Sequence, residues 1–174
     1  MKAMKKVLVS ALAAALVVTA AAPAGAATSP VKAPKAINGK ATVKGVTVKT
    51  SKKGTATVTA VKSKKATVKV AATIKVKGVT YKVTAIGANA FKNCKKVKKI
   101  SVGKNVKTIG KNAFKGCKKL KTITLANKKV TIKNGAFAGL NTKKITIKAP
   151  KMSKKALKKF KKALKKAGFK GKVK

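Results

Sequence analysis

Aspartate, glutamate, histidine, arginine and tryptophan are all absent from this 174-residue chain, whose formal net charge is +47. Every one of those charges is a lysine. With no side-chain carboxylate, no side-chain ion pair can form and the charges can only repel one another. A large charge of one sign keeps a protein soluble but works against the compact state. Folding must then rest on apolar packing and backbone hydrogen bonds. Stability should rise with salt, which screens the repulsion over a Debye length of about 10 Å at 0.1 M.

The same absences close off most chemistry. General acid–base catalysis draws mainly on His, Asp and Glu. Hard cations need carboxylates, and zinc sites typically need four Cys or His ligands. Two cysteines, one tyrosine and the lysines are what remain, and no motif arranges them as a nucleophile. The reading is therefore a non-enzymatic protein, with no catalytic, cofactor-binding or metal-ligating residues assigned.

What is present is organised. Lys2, Lys5 and Lys6 precede an apolar run from Val7 to Ala22, and Ala24-Gly25-Ala26 offers small residues to a signal peptidase. Residues 1–26 read as a signal peptide cleaved near Ala26. The run is shorter than the roughly 20 apolar residues of a spanning helix. The expected mature chain is secreted and keeps 44 of the 47 lysines. Residues 27–40, with Pro30, Pro34, Asn38 and Gly39, read as a linker.

From Ala41 to Ala85 valines alternate with threonines and lysines, a pattern that suits strands. Ile74 to Val83 alternates around Lys77-Gly78, as a tight hairpin does. We expect 41–85 to be a β-rich N-terminal cap, a small antiparallel unit of three to five strands. A repeat follows. Ile86-Gly87-Ala88-Asn89-Ala90-Phe91 recurs as Ile109-Gly110-Lys111-Asn112-Ala113-Phe114, 23 residues on, and again in degraded form as Ile132-Lys133-Asn134-Gly135-Ala136-Phe137. Cys94, Cys117 and Leu140 share one position, Val97 and Leu120 another, and Ile100 and Ile123 a third. A fixed period of this size means stacked coils, each too small to bury its own apolar side chains alone. The third coil reads as one residue short before Ile145-Thr146-Ile147. Over 151–174, Ser153 suits an N-cap, Leu157, Phe160 and Leu164 form one apolar stripe, and Gly168 suits the position just past a helix end. This basic helix and the β unit are placed to close the two ends of the array.

The pattern Ile-Gly-x-x-Ala-Phe-x-x-Cys-x-x-Leu-x-x-Ile, from Ile109 to Ile123, resembles the BspA-like leucine-rich repeats of bacterial cell-surface proteins. The resemblance covers Ile86 to about Pro150, and Ser153 to Gly168 is similar to that family's basic C-terminal helix. It implies a right-handed solenoid with a strand-lined face, and with the elements read above the expected fold is α+β: a short right-handed leucine-rich-repeat solenoid over 86–150, with an N-terminal antiparallel β unit and a C-terminal capping α-helix. It also implies export to the surface and a role in adhesion or recognition, without cofactor or catalytic residues. Two departures stand out, the missing acids and the shortness of the array.

Individual residues each have a plain reading beside a sharper one. Cys94 and Cys117 could form a disulfide or a redox pair, but their repeat position favours buried free thiols. Phe91, Phe114 and Phe137 could stack nucleobases, but fixed spacing favours a buried column. The basic helix could lie on a membrane, although its stripe is modest. The outward strand positions Lys99, Ser101, Thr122, Thr124, Lys144, Thr146 and Lys148 form the candidate binding face. So much lysine must attract polyanions in a salt-dependent way. Outside a bacterium these are wall polymers such as teichoic acid, with anionic lipid as a peripheral contact and host or partner surface proteins as further partners. A cationic membrane-active protein and a non-specific nucleic-acid binder are the alternatives.

Overall fold

A computed structural model describes residues 35–92 and 94–174. The expected signal peptide lies outside the described residues. The described residues form twelve strands and one α-helix, in chain order: β1 (Gly39–Val43), β2 (Val46–Thr50), β3 (Thr55–Val61), β4 (Thr67–Val70), β5 (Thr73–Val76), β6 (Val79–Ile86), β7 (Lys99–Val102), β8 (Thr108–Ile109), β9 (Thr122–Leu125), β10 (Thr131–Ile132), β11 (Thr146–Lys148), α1 (Lys154–Lys166) and β12 (Lys172–Val173).

They form two sheets. The first runs β1-β2-β3-β6-β8-β10, with β5 also paired to β6; the second runs β12-β11-β9-β7-β4 and is parallel throughout. Each coil crosses from one sheet to the other, which is the solenoid-like arrangement expected of a 23-residue period. The apolar strand positions line up from coil to coil. Val68, Ile100, Ile123 and Ile147 are mutual register partners in the second sheet, and Ile86, Ile109 and Ile132 are in the first. All seven are buried. Burial of such side chains contributes roughly 1.5–3 kcal/mol each, which is what offsets the lysine repulsion.

At the turn between the sheets, the repeated Asn-Ala-Phe and Gly-Ala-Phe segments stack. Asn89, Asn112 and Gly135 all take positive φ, at 56°, 54° and 71°, a region that Asn and Gly tolerate best. The following backbone then bonds across coils. Phe91 N donates to Ala113 O at 2.8 Å and Phe114 N to Ala136 O at 3.2 Å. The rings stack in turn, with centroids 5.5 Å apart for Phe91–Phe114 and 5.4 Å for Phe114–Phe137.

The N-terminal part differs from a separate antiparallel unit. β1, β2 and β3 are antiparallel and β5–β6 is the expected hairpin, with Val76 opposite Val79. But β3 pairs parallel to β6, and β4 leaves the group to pair parallel with β7 in the other sheet. Residues 41–85 thus already make the first coil, because strand alternation is the same whichever direction the neighbour runs. Strand β1 begins at Gly39, inside the expected linker, and the entry segment is tied down: Ile37 N donates to the buried Tyr81 hydroxyl at 2.9 Å, and Lys52 N to Asn38 Oδ1 at 3.0 Å.

The third coil also differs. Ile147 registers with Ile123, 24 residues away, so this coil is one residue longer than the period rather than shorter. A single 3₁₀ turn at Thr142–Lys144 takes up the extra residue.

Helix α1 begins as expected, Ser153 Oγ accepting from Ala156 N at 3.3 Å. It ends in a Schellman motif: Gly168 N donates to Lys165 O at 3.0 Å and Phe169 N to Leu164 O at 2.9 Å. Gly168 has φ +86°, a turn that glycine makes without the Cβ penalty. The turn points Phe169 back into the core, where its ring lies 5.1 Å from Phe137 and extends the phenylalanine column. Phe160, Leu164 and Ala167 are buried with it. No helix among the described residues is long and apolar enough to cross a membrane.

Candidate functional site

The all-parallel sheet builds one continuous surface. Its strands alternate buried and outward residues, so register alignment makes two outward columns. One runs Thr67, Lys99, Thr122, Thr146, Lys172; the other runs Lys69, Ser101, Thr124, Lys148. Within each column a run of hydroxyls is framed by lysines, and Thr67 ends the first column on the edge strand. Lys99, Thr124 and Lys148 are exposed, while Ser101, Thr122 and Thr146 are half-buried by their neighbours.

Six of the seven predicted face residues therefore lie on this surface. The exception is Lys144, which sits in the 3₁₀ turn before β11. The extra residue of that coil moves it off the strand. It belongs instead to a lysine-lined depression of about 620 Å³ beside the strand starts, with Lys98, Lys118, Lys119 and Lys121 around Leu120. Sequence reading missed Thr67, Lys69 and Lys172. The first two lay in a segment read as a separate unit, and Lys172 is in a two-residue strand too short to show alternation.

The face offers hydrogen-bonding hydroxyls and fixed positive charge.

The cysteines lie inside the fold, away from this face. Both are free and buried. Cys94 Sγ donates to Val61 O and Cys117 Sγ to Phe91 O, each at 3.2 Å. The neighbouring Cys94 and burial together push the Cys117 thiol well above its ordinary range. The Cys117 thiol beside Cys94 pulls that group down to about 7, against the effect of burial. The three repeat phenylalanines are buried too, which removes them as base-stacking platforms, since those need exposed rings. Among the described residues no buried side-chain nitrogen or oxygen lacks a hydrogen-bond partner.

A family model for the BspA type leucine rich repeat region matches residues 80–174 in six copies. A leucine-rich repeat protein from Bacteroides capillosus superposes with a TM-score of 0.58 at 23% identity, over 78% of this chain and 98% of that one. A leucine rich cell surface protein from Faecalibacterium prausnitzii superposes with a TM-score of 0.51 at 26% identity, over 71% of this chain and 34% of that one. This chain thus spans about a third of the second protein and nearly all of the first. No curated protein sequence matches it.

Proposed function

The chain belongs to the BspA-type leucine-rich-repeat family, and from that membership we propose that it is a secreted, non-enzymatic binding module that works at a bacterial cell surface. Its coil is right-handed, and α1 with the segment after it closes the C-terminal end of the core. Its ligand lies along the outward face of the parallel sheet. The observation that carries this reading is the pair of columns in which Thr122, Thr124, Thr146 and Ser101 are framed by Lys69, Lys99, Lys148 and Lys172. The relative from Faecalibacterium prausnitzii is described as a cell surface protein, which supports the location.

Size decides what kind of ligand fits. Five strands about 4.8 Å apart, two outward residues deep, present on the order of 200 Å². A stable protein–protein interface needs about 800 Å² on each partner. The strand face alone is too small for that, whereas an extended polymer needs only a narrow track. An anionic wall polymer such as teichoic acid also answers the uncompensated lysine charge, which retains the protein at the wall.

Thr122→Tyr and Thr124→Tyr test the face, because each blocks the track without altering charge. Either should weaken wall binding several-fold, while tyrosine at exposed Thr131, on the first sheet, should not. Unchanged binding in both face variants would remove the strand face from the account.

A further inference from the structure

A second concavity lies at the opposite end of the chain from α1 in sequence. Between β2–β3 of the first sheet and β4–β5 is a groove of about 350 Å³. Its floor is Val48, Val58, Val70 and Val83, and Val46 and Ile74 form its walls. The floor residues are at most 2% exposed, but the walls are only half-buried. Strand β4 is the edge of its sheet, so no further strand of that sheet covers the core on this side. Lys44, Lys69 and Lys75 line the same groove.

An apolar floor with lysines at its margin selects among occupants. A second copy of this chain would bring its own large positive charge, since the sequence holds no acid, and like charges brought together cost several kcal/mol. A neutral apolar ligand would leave three ammonium groups beside it without a counter-charge. An amphiphile with an alkyl chain and an anionic head satisfies both halves. The volume sets its length. At about 30 Å³ per water-sized group, the groove holds roughly a dozen heavy atoms, within the size range of small-ligand sites. That is one medium alkyl chain and too little for the two chains of a bilayer lipid.

We propose that this groove is a binding site for a free medium-chain fatty-acid carboxylate. Its chain lies between the half-buried Val46 and Ile74, above the valines of the core, and its carboxylate meets Lys44, Lys69 and Lys75. The site shares Lys69 with the margin of the strand face, is otherwise built from other residues, and stands whether or not that face binds a wall polymer.

Calorimetric titration of the full chain with dodecanoate tests this in about 0.15 M salt, where surface charge is screened beyond about 8 Å. One saturable equivalent should bind, and butyrate should bind at least about tenfold more weakly. Thr73 is exposed and lines the groove, so Thr73→Trp should fill it and weaken dodecanoate about tenfold at unchanged charge. Replacing Lys44, Lys69 and Lys75 with Gln should weaken it similarly, whereas Gln at Lys64, Lys118 and Lys128 should not. Equal binding by Thr73→Trp, or equal loss in the two lysine triples, would overturn the site in favour of general surface charge. Methyl resonances of the unmodified protein give a check independent of any variant: dodecanoate should shift Val46 and Ile74 and leave Ile132 unmoved, and a uniform or absent response contradicts the proposal.

Discussion

Replacing Phe169 with alanine should unseat the C-terminal segment from the repeats. The ring is 3% exposed, and it closes a column whose preceding ring, Phe137, is 5.1 Å away. Removing a buried phenylalanine typically costs about 3–5 kcal/mol. Of this, about 0.5–1.5 kcal/mol belongs to the ring–ring contact beyond its area. A domain of this size loses roughly 3 °C of Tm per kcal/mol, so the melting temperature should fall by about 9–15 °C. Far-ultraviolet circular dichroism is the suitable probe, because the chain has no tryptophan and a single tyrosine. A double-mutant cycle isolates the contact. Phe137→Leu and Phe169→Leu should couple by about 0.5–1.5 kcal/mol. Phe91→Leu with Phe169→Leu should add within about 0.5 kcal/mol, since neither ring touches the other. A loss below about 1 kcal/mol for Phe169→Ala, or a cycle that closes to zero, would refute the claim that α1 and its Schellman turn belong to the repeat core.

Other consequences are as direct. Gly110→Ala should destabilise by about 1–3 kcal/mol, because a Cβ there would sit 2.7 Å from Ala88 N on the neighbouring coil; urea midpoints of the two proteins measure it. Ser153→Ala should cost about 1 kcal/mol through the lost N-cap, read in the same way. Added sodium chloride should raise the melting temperature steadily between about 0.05 and 0.5 M as lysine repulsion is screened, and a flat response would show that the charges do not oppose folding. Thiol reagents should leave both cysteines unmodified for minutes in the native protein and label both in urea. On slow native labelling Cys94 should react before Cys117, whose pKa is pushed up by its neighbour Cys94 and by burial. Because Cys117 ionises more readily unfolded than folded, its contribution to stability is present below about pH 9 and is lost as pH rises beyond it.

The periodic part of this fold was legible because equivalent residues meet equivalent residues. Ile86, Ile109 and Ile132 stack, as do Phe91, Phe114 and Phe137, so one repeated pattern determines both local turn and packing partner. What breaks the period was harder to read. Strand β4 pairs with β7 at a separation of 32 residues, and alternation within β4 carries no record of partner or direction. The extra residue of the third coil is absorbed by a turn at Thr142–Lys144, which moved Lys144 off the face while leaving Thr146 and Lys148 on it. Nothing local to Phe169 says that Gly168 will turn it onto Phe137. The outward positions of β7 and β9 could be named from alternation alone, because their inward partners Ile100, Val102, Ile123 and Leu125 leave the intervening residues only one side.

The measurement that bears most directly on the proposed role is binding of the purified protein to washed Gram-positive walls, with and without teichoic acid, from about 0.05 to 1 M salt, the range over which phosphate contacts are lost. The account predicts binding that falls steeply with salt, disappears on stripped walls and weakens with Thr122→Tyr. Binding that persists at high salt on stripped walls would contradict it and point to a receptor other than an anionic polymer.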